Sequence, residues 1–404
     1  PCVGTEESHM STPALLLSVA CSPPISPRLA CPSCRQALLE KSYRRHLAFC
    51  APDLLDPEGW AAGDCAVVQR HCSRLHRPGS ATARALELRF GFGGKPAVTS
   101  QQRLAAEMGW TNRRTRDTIA KFLHSIPLVC EPSDRLQVLY EDASMLIVNK
   151  PAGVGVTPEH RWRGGSVLNW VMWHLSRNAA PPQDGRGRGG GGGQRRRGRG
   201  GRGGRRTPAP APEPRPCHRL DFNTSGALVF AKTAEAASAL MSQFESRRVR
   251  KAYAALCTAP PGESLVEGDV CRVDGVQHCE RRVCGPGESG QAARTSLVVV
   301  ADSAASGEAG SAGAVGGECL LLARPEQGRT HQVRLHCAAA GSPILGDALY
   351  GGGEGRGPLQ RHGLHALALT LVSPATGAPL EVVAPLADDM RRAALEAGLR
   401  MRAA

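Results

Sequence analysis

The sequence predicts an α+β fold: a mainly antiparallel, mixed sheet over residues 136–400, preceded by a small zinc-binding and helical N-terminal region. Three observations lead there. From Leu136 onward, short β-like runs interleave with helical spacings, without the regular strand–helix–strand period of a parallel sheet. Near the N-terminus, cysteine and histidine recur at metal-ligand spacing. Between the two regions lies a stretch with helical periodicity and cap residues.

Residues 1–29 are Ser/Pro-rich and read as a flexible tail. Residues 30–76 read as a zinc module. Cys31 and Cys34 form C-x2-C, and His46 and Cys50 form H-x3-C one turn apart on a helix expected over 41–49. The alternative is a helical hairpin with free thiols, but so short a segment with few large apolar groups needs a staple. Residues 81–125 read as a helix-turn-helix module. Gln101, Ala105 and Gly109 take its spaced positions, and Thr111 caps a second helix bearing Arg113, Arg114, Arg116 and Lys121.

In the sheet region, strands are expected at Leu136–Tyr140, Met145–Val148, Ala227–Lys232, Lys251–Cys257, Leu320–Arg324 and Leu380–Val383. Helices are expected at Ser166–Leu175, Thr233–Ser246, where Thr233 is the cap, and Thr330–Ala340. Residues 178–214 form a Gly/Arg-rich insert expected to be disordered, and 303–317 a second soft insert.

Composition narrows the function. The formal charge is +14, and nine arginines with no acid lie within residues 186–206, so most of the excess belongs to one segment. That suggests a polyanionic partner. No apolar run approaches a membrane span, so no membrane partner is expected. Fifteen cysteines without a regular framework argue for a reducing compartment rather than a disulfide-stapled fold. The sequence opens at Pro1, so no targeting segment is read from it.

The sharpest segment is His218-Arg219-Leu220-Asp221-Phe222-Asn223-Thr224-Ser225-Gly226, a polar turn feeding a strand. By itself it reads equally as an Asx-type turn. It belongs to an ordered set, however: Asn149-Lys150-Pro151-Ala152-Gly153, this segment, Lys251-Ala252-Tyr253, Gly328-Arg329-Thr330-His331-Gln332-Val333-Arg334, and Gly341 through Gly351. Together these resemble the RluA-type RNA pseudouridine synthases.

The resemblance implies an isomerase that turns specific uridines of ribosomal or transfer RNA into pseudouridine, with no cofactor for catalysis. It implies Asp221 as the nucleophile, Tyr253 as the tyrosine that packs on the target base, and Arg334 as the arginine paired with the aspartate. Arg219 matches the residue that fills the gap left by the flipped nucleotide. Arg329, His331 and Lys150 are carried as further substrate-binding candidates, with a structural histidine and a loop-shaping lysine as the alternatives. The residue types suit the chemistry. An enclosed carboxylate keeps its charge best beside a guanidinium, and an aromatic face offsets part of the cost of extruding a base.

The N-terminal module and the Gly/Arg insert are expected to add nucleic-acid contacts. The stretch Leu86 to Lys95 resembles the DNA-reading C-terminal region of bacterial sigma factors, but Thr115 and Thr118 stand where that pattern has buried aliphatics. Two other readings stand beside the synthase: an inactive RNA-binding protein and a DNA-binding helix-turn-helix protein. An intracellular location is expected, an organelle (chloroplast or mitochondrion) first and the nucleus second.

Overall fold

The computed structural model describes residues 28–30, 37–39, 61–92, 100–178, 213–273, 280–303, 317–355 and 357–401. The four expected zinc ligands, the helix over 41–49 and nearly all of both inserts lie outside the described residues. Two short strands, Arg28–Ala30 (β1) and Ala37–Leu39 (β2), pair antiparallel on either side of residues 31–36.

Four helices follow: Ala61–Leu75 (α1), Ala81–Phe90 (α2), Gln101–Met108 (α3) and Asn112–Ser125 (α4). Their ends are set by local chemistry. Ser80, Ser100 and Thr111 accept bonds from the third amide of α2, α3 and α4, and left-handed Gly91 and Gly109 stop α2 and α3. Val68, Leu86, Phe90 and Phe122 join α1, α2 and α4 in one core, and Trp162 of the sheet region packs against it. Thr115 is buried by returning its hydroxyl to the Thr111 carbonyl at 3.1 Å, which satisfies a polar group where an aliphatic was expected.

The remainder is organised by one sheet. Its strands are Gln137–Glu141 (β3), Met145–Lys150 (β4), Arg215–Pro216 (β5), Ser225–Ala231 (β6), Arg250–Cys257 (β7) and Leu265–Glu267 (β8). A separate hairpin, Val270–Arg272 (β9) and Arg281–Val283 (β10), precedes Arg294–Asp302 (β11), Cys319–Pro325 (β12), Leu364–Val372 (β13), Pro379–Val383 (β14) and Arg400–Met401 (β15). The order is β15-β11-β12-β7-β13-β6-β4-β3, with β14 beside β13, β5 beside β6 and β8 beside β11. Every pairing is antiparallel except β6 with β13. The expected α+β, mainly antiparallel mixed sheet is what is observed.

Period-two alternation assigns the faces. On β4, Met145 and Ile147 meet Leu240 of helix Ala234–Glu245 (α6), while Leu146 and Val148 meet Trp170 and Val171 of helix Val167–Asn178 (α5). Further along, Leu256 packs with Met390 of helix Asp388–Glu396 (α8), and Ala255 and Cys257 pack with Val333 and Cys337 of helix Gln332–Ala339 (α7). Tyr253 touches both the α5 cluster and the α7 cluster, so it stands at the seam between the two halves of that face.

The structure adds to the expected elements and corrects one reading. Beyond the strand at 379–383 stand two elements not foreseen, α8 and β15. The described cysteines are also not all free: Cys271 and Cys284 are bridged across the β9–β10 hairpin.

Candidate active site

Asp221 sits on the turn before β6, its side chain 20% exposed. The turn is held from beneath by unusually many bonds. Lys150, fully buried at the end of β4, donates to the carbonyls of Pro151, Phe222 and Thr224 at 3.0, 3.0 and 2.7 Å. Gly153 N–H also donates to Phe222 O, and Thr224 N–H to Asp221 O. Lys150, carried as a substrate-binding candidate, therefore has all three donors engaged inside the protein. Its role is to tie the turn to β4. Burial, and then the neighbouring Arg361 charge, hold its ammonium well below the usual lysine range, while the Asp221 charge opposes that shift.

A second buried cation grips the other side. Arg361 Nη1 donates to Asn223 O at 3.0 Å and Nη2 to Ser225 Oγ at 3.0 Å, while Nε and Nη2 form a bidentate pair with Asp389 of α8 at 2.8 and 3.0 Å. Thr224 Oγ1 meets His362 Nε2 and Ser225 Oγ meets His365 Nδ1, each at 2.9 Å. Gly226 has φ +115°, and a Cβ there would lie 2.2 Å from Ala366 O, so close parallel pairing with β13 requires glycine.

Arg334, from α7, brings its Nη1 within 3.4 Å of Asp221 Oδ2. Its other two nitrogens, Nε and Nη2, form a fork with Asp347 at 2.7 and 2.7 Å, deep in the protein. The Tyr350 ring lies under the same guanidinium, 4.9 Å from Cζ. His331 Nε2 is 3.7 Å from Asp221 Oδ2. Burial lowers His331 to about 4, so it is neutral at neutral pH. Tyr253, paired with Ala366 and Ala323 at the seam, has its hydroxyl pushed up by burial and then by the Asp221 charge.

The candidates Arg219 and Arg329, and the nearby His336 and Lys251, are peripheral to this group. Arg219 is exposed beside the turn. Arg329 is half-buried, with Nε on Ala292 O at 3.2 Å. His336 is buried against Thr295 and the Gly268 carbonyl. Lys251, lowered to about 8 by burial and then by the Arg329 charge, donates to Gln327 O at 2.7 Å. Among the described residues one group has metal-like proximity, Cys271, Cys284 and Glu288. Its two sulfurs are bonded to each other and offer no thiolate.

This arrangement is a carboxylate that meets a guanidinium on one oxygen, with an aromatic nearby and a second, buried carboxylate holding the guanidinium from behind. The pattern of the RNA pseudouridylate synthase family matches residues 144–339, which contain Asp221, Tyr253 and Arg334. An RNA pseudouridine synthase of Bacillus subtilis, YhcT, is 31% identical over 258 residues, 63% of this chain and 70% of that protein. The chain belongs to the RNA pseudouridylate synthase family. A ribosomal large subunit pseudouridine synthase D of Xanthomonas campestris is 30% identical over 64% of this chain and 68% of its own length. A rice protein, RNA pseudouridine synthase 2, chloroplastic, is 28% identical over 72% of this chain and 66% of its own length. As a pseudouridylate synthase the chain is an isomerase with RNA as its substrate.

Sequence reasoning missed the residues that aim and hold the site: Asp347, Tyr350, Arg361, His362, His365 and Asp389. Asp347 and Tyr350 stand inside the quoted segment Gly341–Gly351, where a lone acid in an apolar, Gly-rich run was an available signal.

Proposed function

We propose that the chain converts specific uridines of ribosomal or transfer RNA to pseudouridine with Asp221 as nucleophile. The observation that supports this most is the apposition of Arg334 Nη1 and Asp221 Oδ2 at 3.4 Å, with the same guanidinium locked by Asp347. A half-buried carboxylate oriented in this way suits attack on the uridine. Asp221 bonds to C1′ as the N1–C1′ bond breaks, the base turns, C5–C1′ forms as the bond to Asp221 breaks, the C5 hydrogen leaves as a proton and N1 takes one up. Atoms and electrons balance within the nucleotide, so the reaction calls for no cofactor. Tyr253 stacks on the extruded base, Arg219 occupies the gap in the RNA, and Arg329 lies on the substrate side of the loop before α7. The names of bacterial relatives favour ribosomal RNA, and the rice relative's name favours an organelle.

The domain division stays as 1–29, 30–76, 81–125 and 136–400 in this reading. Zinc held by Cys31, Cys34, His46 and Cys50 would be structural. The helical module presents exposed Arg113, Arg114, Arg116 and Lys121 on α4, of which Arg113 and Arg116 face Asp117. Together with the Gly/Arg insert it adds phosphate contacts, and deleting residues 183–210 should lower RNA affinity at low salt without moving the modified uridine.

The test of the nucleophile is Asp221→Asn. RNA transcribed with uridine tritiated at C5 releases tritium on each turnover. The variant should bind this RNA like wild type and release tritium at background. A variant that retains activity sinks the assignment.

A further inference from the structure

His331 is unusual for its position. It is the N-cap of α7, yet its side chain makes no capping bond, and its backbone is left-handed at φ +58°. A non-glycine residue holds that conformation only where its surroundings require it, and such positions cluster at functional sites. What the turn achieves here is aim. Nδ1 lies 2.8 Å from the Tyr350 hydroxyl, and Nε2 lies 3.7 Å from Asp221 Oδ2.

The Tyr350 oxygen already accepts the backbone N–H of Arg281 at 3.1 Å, which directs its own proton to His331 Nδ1. An imidazole that accepts on Nδ1 carries its proton on Nε2. We infer that Tyr350 is a positioning residue that fixes His331 as the Nε2–H tautomer and so directs a neutral donor at the Asp221 oxygen that Arg334 also faces. This deepens the nucleophile assignment and rests on it. Both contacts fall on Oδ2, which leaves Oδ1 to attack. Tyr350 also supports Arg334 through its ring face, so one side chain sets both groups that orient the carboxylate.

Tyr350→Phe separates these roles, because it removes the hydroxyl and keeps the ring. The full-length chain labelled with 15N-histidine reports the tautomer, with the His331 signals identified by their loss in His331→Gln. Wild type should show His331 protonated on Nε2. Tyr350→Phe should shift it toward Nδ1–H and lower kcat about tenfold, the rate equivalent of one hydrogen bond, on ribosomal RNA tritiated at uridine C5. Its KM and melting temperature should stay at wild-type values.

An Nδ1-protonated His331 in wild type would overturn the inference. So would a Tyr350→Phe variant with wild-type kcat, or one whose loss lies in KM or folding. An inactive Asp221→Asn beside an Nδ1-protonated His331 would remove this inference alone. An active Asp221→Asn would remove the nucleophile reading itself.

Discussion

Replacing Asp347 by Asn tests how the arginine at the site is aimed. The pair is nearly sealed from water, with side-chain exposures of 8% for Arg334 and 1% for Asp347. Removing one partner of such a pair costs about 3–5 kcal/mol, because the remaining charge stays buried. Asn keeps the volume and one acceptor for the fork, and a lost bond to a charged group is worth about 1.5–3 kcal/mol. A destabilisation of about 2–3 kcal/mol is therefore expected. With a denaturant slope of about 2 kcal/mol per molar urea, the midpoint falls by about 1 M.

The effect on rate should exceed the effect on fold. Without the Asp347 charge, Asp221 becomes the carboxylate nearest to Arg334, and the fork turns toward it. Both Asp221 oxygens are then engaged, and a misplacement of about 1 Å costs on the order of a hundredfold. Urea denaturation followed by circular dichroism, with single-turnover tritium release, measures both quantities. The double variant Asp347→Asn/Arg334→Gln should recover part of the stability, since no buried charge remains, and none of the rate. Stability within about 0.5 kcal/mol of wild type, together with a rate within about twofold, would refute the reasoning.

Three further expectations concern the scaffold. Burial lowers His365 to about 4 and His218 to about 3, so these rings stay neutral in the folded chain while unfolded histidines titrate near 6.5. Protons then bind the unfolded state first: stability is full above about pH 6.5 and falls toward pH 4, by about 3 kcal/mol for His365. Flat urea midpoints between pH 7 and 4.5 would contradict this. Gly226→Ala, which sets a Cβ against Ala366 O at 2.2 Å, should part β6 from β13 and abolish activity with a large loss of stability; a wild-type melting temperature would count against it. Full-length protein purified under reducing conditions should hold about one zinc, lost in Cys31→Ser/Cys34→Ser, and metal-free wild type would remove that module.

Legibility followed the range of the interaction. The Thr233 cap of α6 and the short apolar run Met145 to Val148 are local, and both were readable in the sequence. The strand β13 is just as apolar from Leu364 to Val372 but was overlooked. Its approach and its first residues carry Arg361, His362 and His365, residue types that read as surface. They are buried here because the turn bearing Asp221 supplies their partners from 136 or more residues away in the chain. For Lys150 the sequence left a substrate contact and a loop-shaping role side by side, because nothing local tells that three carbonyls await its ammonium. Asp221 and Arg334, 113 residues apart, were associated only through the order of their motifs.

The parallel pairing of β6 and β13 explains why the missed residues cluster where they do. His365 lies in register with Ser225 and Ala366 with Gly226. In a parallel pair both strands begin at the same end, so the loops entering β6 and β13 lie side by side. An antiparallel pair would send them to opposite ends of the sheet. Arg361, four residues before His365, thereby reaches Asn223 and Ser225, two of the residues that lead from Asp221 into β6. The antiparallel neighbour β7 then lays Tyr253 across from Ala366, at the mouth of the same pair of loops. The one parallel strand pair among the described strands of a mainly antiparallel sheet is thus the feature that brings the carboxylate turn, its buried clamp and the seam tyrosine to one place. Asp389 of α8 fixes the clamp from the opposite face, so the turn is held through the thickness of the sheet and not from its surface alone.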